Sequence, residues 1–202
     1  GPNMRHYGHI YMGFGLIPDF DEEHGAAINP WRSSNFTFGY RYKLKLLSFY
    51  AIGLDLNFRI DDYFMEDDEK NPLDGDNPLT FITGEKKHIL TNNSIALELY
   101  HRINIGSRGN TLGTYIDMGI SGRWNHTVKE VINIELEDGY AEKQKIVNRK
   151  LDFYENFSYG LIARVGYNKF SLYANYRLSD YFNDNYQIPE LPRLQGGIQF
   201  AF

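Results

Sequence analysis

Apolar and polar residues alternate with a period of two in eight stretches of the chain. Alternation of this kind predicts β-strands that bury one face, and we find no amphipathic helix of convincing length. The stretches cover residues 7–14, 36–44, 50–60, 94–103, 115–124, 157–166, 171–179 and 194–202. The pattern therefore predicts an all-β fold of eight strands.

Short and long connections alternate between these stretches. The short ones fall at residues 45–48, 106–111 and 168–169, and the long polar ones at 18–34, 61–87, 129–150 and 180–192. An antiparallel up-and-down barrel with both termini at one end gives this order, whereas a Greek-key sandwich has no reason to. We expect one domain over residues 1–202. Residues 1–6 are expected as a disordered lead-in, because Gly1-Pro2 looks like a protease-cleavage scar left after a leader was removed.

The polar face of the predicted strands carries long charged side chains of both signs beside many glycines. Such a mixture suits the narrow, filled interior of an eight-stranded barrel. The apolar face carries tyrosines and Trp124 toward the segment ends, as aromatic girdles at a membrane require. We therefore expect a transmembrane barrel with periplasmic termini and four long extracellular loops. The alternative is a soluble, lipocalin-like barrel with an apolar interior. The expected interior charges are Arg41, Lys43, Asp55, Arg59, Glu98, Arg102, Asp117, Arg123, Arg164 and Arg177.

Composition narrows the function classes. Aromatic residues make up 16% of the chain, cysteine is absent, and the net charge is −5. The sequence therefore has neither a disulfide framework nor cysteine-ligated zinc, and it has no basic footprint for nucleic acid. No stretch approaches the roughly 18 apolar residues of a membrane helix, but a membrane-spanning strand needs only about 9–11 residues, half of which can be polar.

The last stretch ends Gly-Ile-Gln-Phe-Ala-Phe, which resembles the C-terminal signal of outer-membrane proteins. Eight strands with four long loops resemble the small barrels of the OmpA-transmembrane and OmpX type. The Tyr-rich and Asn-rich strands are most similar to the "outer membrane β-barrel" proteins of Bacteroidota, a group that includes the PorT-like family. The resemblance implies an outer-membrane location, with lipid and lipopolysaccharide as neighbours. It also implies a non-enzymatic role as an adhesin, a structural anchor or an accessory subunit of a secretion or assembly complex.

Two loop surfaces are candidates for contact with another outer-membrane or surface protein. In the third long connection, Asp138-Gly139 is a hairpin signal, so the fifth and sixth strands are expected to extend as a β-ribbon. The ribbon would present Val131, Ile132 and Ile134 to a partner; alternatively, these residues pair only with 145–147 across the hairpin. The fourth long connection adds three aromatic residues that are expected to be exposed and could bind glycan or protein: Tyr181, Phe182 and Tyr186.

Catalytic and metal motifs are weak. A lipid A-modifying enzyme would need a nucleophile and a base at the outer rim, where His126 is the candidate base. Val128 follows His126 in the same outward phase, however, and Ser33 and Ser34 are arbitrary partners. Four acidic residues of the second long connection could hold a cation, although a solvated loop is the default interpretation: Asp67, Asp68, Asp74 and Asp76. We predict no enzyme, no cofactor and no metal. A narrow small-solute channel is a further alternative.

Overall fold

The computed structural model describes residues 2–19, 28–65, 85–105, 113–135, 143–148, 153–183 and 189–202. Within these ranges the regular structure is nine β-strands, and there is no helix. The described residues accordingly contain no helix that could span a membrane. The strands are β1 His6–Leu16, β2 Ser34–Lys45, β3 Tyr50–Met65, β4 Glu85–Ile105, β5 Thr114–Glu135, β6 Lys143–Asn148, β7 Phe157–Tyr167, β8 Phe170–Arg177 and β9 Leu194–Ala201.

Eight of these strands close into an antiparallel ring. The hydrogen-bonded order is β1-β2-β3-β4-β5-β7-β8-β9, and β9 pairs with β1 to complete the ring. In the closing pair Tyr11 lies opposite Ala201 and Leu16 lies opposite Gly196. Closure leaves no unpaired edge in the wall. The predicted eight-stranded up-and-down barrel is thereby confirmed.

The two ends of the barrel differ in their connections. The turn end carries the start of β1, the end of β9 and the short connections β2–β3, β4–β5 and β7–β8; the loop end carries the long connections. Part of the lead-in that was expected to be disordered makes contacts at the turn end. The Lys45 N–H donates to Arg5 O at 2.7 Å, and Lys43 Nζ donates to Pro2 O at 2.6 Å.

The barrel has a polar inside and an apolar outside. Along β7 every second residue is buried and every other residue is exposed, and the exposed ones include Leu161 and Val165. The buried positions around the ring include most of the predicted interior charges, from Arg41 to Arg164. The predicted direction of the two faces is therefore confirmed, and the distribution is the reverse of that in a water-soluble barrel.

One side of the wall is taller than the sequence analysis predicted. Strands β3 and β4 continue past their expected ends toward the loop end, whereas the extension of β5 was predicted. Strand β4 pairs with β5 from Ile105↔Thr114 to Glu85↔Glu135. The last six residues of β5 pair with β4 on one side and with β6 on the other, and the pairing with β6 is what the ribbon interpretation predicts. Residues 61–65 and 85–87, assigned to a connection from the sequence, are thus strand.

Interior tyrosines lie opposite glycines on the neighbouring strand. The pairs are Tyr11↔Gly39, Tyr100↔Gly53, Tyr115↔Gly166 and Tyr173↔Gly197. A Cβ added at Gly53 would lie 2.1 Å from Tyr100 Cζ, and one added at Gly166 would lie 2.1 Å from Tyr115 Cζ. At these two positions the missing side chain leaves the room that a phenol ring occupies. Glycine in the predicted interior therefore serves packing.

Two glycines of β5 give a matched test of how closely the wall is packed. A Cβ at Gly119 would meet Leu99 O at 2.0 Å, whereas a Cβ at Gly122 has nothing within 4 Å. We expect Gly119→Ala to lower the free energy of unfolding by about 1–3 kcal/mol through overpacking. Gly122→Ala should change it by less than about 0.5 kcal/mol. Urea unfolding of the refolded protein measures both, and equal effects would contradict this account of the packing.

Candidate functional site

The lumen is organised around one shared carboxylate. Glu98 of β4 is fully buried and accepts hydrogen bonds from Arg59 of β3 and Arg164 of β7. Both arginines are themselves buried. Glu98 thereby joins β4 to its neighbour β3 and also to β7, from which β4 is separated by β5.

Further ion pairs extend this network toward the turn end. Arg102 donates to Asp117 from Nε at 2.6 Å and from Nη2 at 2.7 Å. Arg41 Nε donates to Asp55 at 2.7 Å, and Arg164 Nη2 lies 3.5 Å from the same carboxylate. Charge-assisted bonds of this kind are the strongest polar contacts available to a buried group. The network therefore fixes these side chains across the width of the lumen.

On the loop side the network continues through one more ion pair and then through neutral groups. Arg123 Nη1 donates to Asp61 at 3.1 Å, and its Nη2 donates to Gln195 at 3.0 Å. Gln195 Nε2 in turn donates to the Tyr63 hydroxyl at 3.3 Å. Polar contacts therefore run from the turn-side half of the lumen to the point where apolar residues begin.

Cations outnumber anions in this network. Among the described residues, five interior arginines share four carboxylates: Arg41, Arg59, Arg102, Arg123 and Arg164 with Asp55, Asp61, Glu98 and Asp117. Tyrosine rings add a further contact to two of these arginines. The guanidinium carbon lies 3.7 Å from the Tyr115 ring centroid for Arg102 and 4.2 Å from the Tyr11 centroid for Arg41, and a ring face attracts a cation. The Tyr–Gly pairs thus place two ring faces against arginines of the network.

An apolar cluster closes the loop end of the lumen. It joins inward residues of the tall wall to residues of the first and fourth long connections: Ile17, Ile28, Tyr63, Met65, Leu90, Val128, Tyr181, Phe182 and Leu191. We call this cluster the cap. Above the ionic network the inside of the barrel thus becomes apolar, as in an ordinary protein core.

The expected exposure of Tyr181 and Phe182 is wrong. Tyr181 is 2% exposed and Phe182 is 4% exposed, because both rings pack into the cap. The Tyr181 N–H donates to both Glu190 oxygens, at 3.0 and 2.9 Å, which fixes the fourth connection. Burial raises the pKa of the Tyr181 hydroxyl well above its ordinary value. These two rings are structural elements of the cap and offer no surface to a glycan or a protein.

His126 lies outside the barrel, as predicted, at an irregularity in the wall. Asn93 pairs with Thr127 and Ser94 pairs with Asn125, so His126 is an extra residue in β5. A bulge of this kind shifts the phase of the residues that follow. Val128 is consequently buried in the cap rather than outward, and the expectation for that residue is wrong.

The surroundings of His126 are aromatic. Its ring centroid lies 6.1 Å from those of Phe58 and Trp124, and its Nδ1 is 2.7 Å from Thr127 Oγ1. Ser33, one of the two serines considered as a nucleophile, is fully buried, and its Oγ accepts the Phe64 N–H at 3.0 Å. The described contacts therefore do not join His126 to either candidate serine.

The tall wall carries an apolar row on its outer face, of which the sequence analysis named only Val131. Phe64 lies opposite Ile89, and Ile89 lies opposite Val131; all three side chains are half-buried. We call these three residues the outer row. A polar row at Asp62 and Thr91, joined by a 2.6 Å hydrogen bond, separates it from the exposed apolar residues nearer the turn end. The run Tyr63-Phe64-Met65, with no polar residue in it, was the available signal.

Two of the predicted partner-binding residues, Ile132 and Ile134, lie in β5. Their register partners are Ile146 and Gln144 in β6 and His88 and Lys86 in β4. The position of β5 between two strands means that its backbone is already paired on both sides. Tyr186 and the candidate cation ligands lie outside the described residues: Asp67, Asp68, Asp74 and Asp76. Within the described part of the chain, no group of three or more potential ligands could hold a metal ion.

Comparisons with known proteins leave the chain without an assigned family. No protein-family model matches the sequence, and no curated protein matches it at a significant level. The functional argument therefore rests on the geometry of the barrel.

The shared carboxylate predicts a large loss of stability when its charge is removed. Glu98→Gln leaves Arg59 and Arg164 buried without their common anion, and we expect the free energy of unfolding to fall by about 3–5 kcal/mol. The exposed pair of Arg193 with Asp180 is the control, and Asp180→Asn should cost less than about 1 kcal/mol. Urea unfolding monitored by tryptophan fluorescence compares the two. Equal losses would show that the lumen network does not support the fold.

Proposed function

We propose that this protein is an outer-membrane β-barrel whose apolar outer face contacts lipid. The observation that carries the proposal is the inverted distribution of side chains. Leu56 and Leu97, on neighbouring strands, are about half exposed, whereas the charged side chains of Asp55 and Glu98 beside them are fully buried. A continuous exposed apolar face of this extent is unfavourable in water and favourable in a bilayer.

The orientation follows the two ends of the barrel. The turn end faces the periplasm and the loop end faces outward, as in barrels with short periplasmic turns and long extracellular loops. Lipopolysaccharide is then the lipid neighbour at the loop end. The outer-membrane location and the likeness to the Bacteroidota PorT-like group are parts of this proposal, and the closed ring with its polar interior supports them.

We infer a non-enzymatic structural or accessory role. The lumen is filled by ion pairs and tyrosine rings, and the cap closes its loop end. A filled lumen leaves no path for a solute, which disfavours the narrow channel. The lipid A-modifying enzyme has no support from the described contacts of His126, since these are to aromatic rings and Thr127.

The outer row is the surface we propose for a protein partner. Phe64, Ile89 and Val131 form an apolar stripe across three strands. The polar row of Asp62 and Thr91 separates this stripe from the exposed apolar residues nearer the turn end, which we propose to face lipid and call the belt. Half-buried apolar residues beyond the belt would meet neither lipid nor the core, and exposed apolar stripes of this kind often bind other proteins. A partner at this surface would fit an accessory subunit of a secretion or assembly complex.

Insertion into a bilayer is tested by placing a charge on the belt. We expect Leu56→Arg to make folding into phospholipid vesicles less favourable by about 2–4 kcal/mol, because an outward arginine near the bilayer midplane is costly. Trp31→Arg is the control beyond the belt, and it should cost at most about 1 kcal/mol. Urea titration in vesicles measures both. A loss for Leu56→Arg no larger than for Trp31→Arg would contradict the membrane proposal.

The accessory role is tested by purification of the native protein from detergent-solubilised outer membrane. We expect a partner to co-purify, and Val131→Asp to reduce its recovery at least fivefold by placing a charge in the outer row. Asn93→Asp adds the same charge on the outer face of β4 outside the outer row, and it should leave recovery unchanged. A protein that is always recovered alone, or equal recovery with both variants, would contradict the proposed role.

A further inference from the structure

Among the described residues, the charged side chains of the turn end are all positive. The described residues of this end are 2–9, 41–54, 99–105, 113–116, 165–176 and 199–202, and they contain no aspartate or glutamate although the chain as a whole has a net charge of −5. Their exposed cations are Arg5 and Lys169. The side-chain carboxylates of the described residues therefore lie in the lumen or toward the loop end, and we call the turn end the cationic rim.

Two tyrosine–histidine pairs of the same geometry lie on the outer face of this rim. Tyr42 Oη is 2.6 Å from His6 Nδ1, and Tyr50 Oη is 2.5 Å from His101 Nδ1. In each pair the residues are diagonal neighbours on adjacent strands, β1 with β2 and β3 with β4. Both histidines are exposed. The repetition on two pairs of strands shows that the wall itself sets this geometry.

The hydrogen bond determines what each histidine can offer. When the phenol O–H donates to Nδ1, the ring proton lies on Nε2, because the partner of one ring nitrogen fixes the state of the other. In that tautomer, which the proposal adopts, each exposed imidazole presents an N–H donor. Arg5, the residue before His6, is also exposed. Donors and cations without a nearby carboxylate suit a phosphate group.

We propose that the cationic rim binds the phosphate of phospholipid headgroups in the leaflet at the turn end, through His6, His101 and Arg5. This inference rests on the proposed membrane location. The acyl chains of the bound lipid would lie along the apolar belt, which is continuous with the rim through Ile52 and Leu54 of β3. Basic groups near an anionic lipid surface each contribute about a fivefold gain in binding, so an anionic phospholipid is the preferred occupant.

The test uses the full chain in dodecyl maltoside, a detergent without phosphate, and counts retained lipid by native mass spectrometry. The probes are dimyristoyl phosphatidylglycerol and dimyristoylglycerol, which share acyl chains and differ in the phosphate headgroup. We expect retention of phosphatidylglycerol and at least fivefold weaker retention of the diacylglycerol. The double variant His6→Phe/His101→Phe, which keeps aromatic rings, should weaken phosphatidylglycerol binding at least fivefold. The matched double variant to glutamine keeps an N–H donor and should lose less.

His126→Phe is the control, because His126 is an outward histidine at the loop end without a tyrosine partner. It should bind phosphatidylglycerol like the unmodified protein. Equal retention of the two lipids, or equal losses for His126→Phe and the turn-end double variant, would overturn the proposal. Insertion into vesicles is measured in parallel. Normal insertion with unchanged lipid retention in the turn-end variants would remove this inference alone, whereas failure of the unmodified protein to insert would remove the membrane proposal as well.

Discussion

The shared carboxylate of Glu98 is the interaction on which the rest of the barrel depends. A ring of eight strands encloses a space that side chains must fill, and here the outer face is apolar, so the polar side chains must be inside. Buried charges are tolerated only when each has partners. Glu98 provides one anion to Arg59 and Arg164, and the remaining ion pairs lie on either side of it. Below the cap, the interior of this barrel is therefore filled by ion pairs and their hydrogen bonds rather than by apolar packing.

The tyrosine rings of the lumen contact arginines that already have a carboxylate partner. Arg41 and Arg102 are paired with Asp55 and Asp117, and their guanidinium groups also lie against the ring faces of Tyr11 and Tyr115. Rings of this size fit a narrow lumen because glycines lie opposite them in the adjacent strands. The arginines, tyrosines and glycines of the lumen therefore depend on one another: the glycines leave room for the tyrosine rings, and the ring faces lie against the arginines.

The barrel divides into three zones along its axis. The turn end is a cationic rim, the middle is a belt with an ionic interior, and the loop end is a tall wall around an apolar cap. The interior changes from polar to apolar between Asp61 and Tyr63. We associate the first two zones with lipid and the third with a partner protein at the outer row.

The sequence by itself determined the strands and their faces. Alternation with a period of two reflects the geometry of a single strand, so it predicts which residues point inward wherever pairing is regular. All ten predicted interior charges lie on the inner face, and the order of short and long connections gave the topology. These features are local or depend on neighbouring strands, and they can therefore be derived from the chain alone.

Only the tertiary structure decided the loop end. The extra residue at His126 changes the phase of β5. The neighbouring sequence does not predict this bulge, because the bulge arises from the register between β5 and β4. Tyr181 and Phe182 look like exposed loop residues, yet they are buried because Ile17, Leu90 and other distant residues meet them in the cap. Contacts between residues far apart in the chain fix both features, and a periodic pattern holds no information about such contacts.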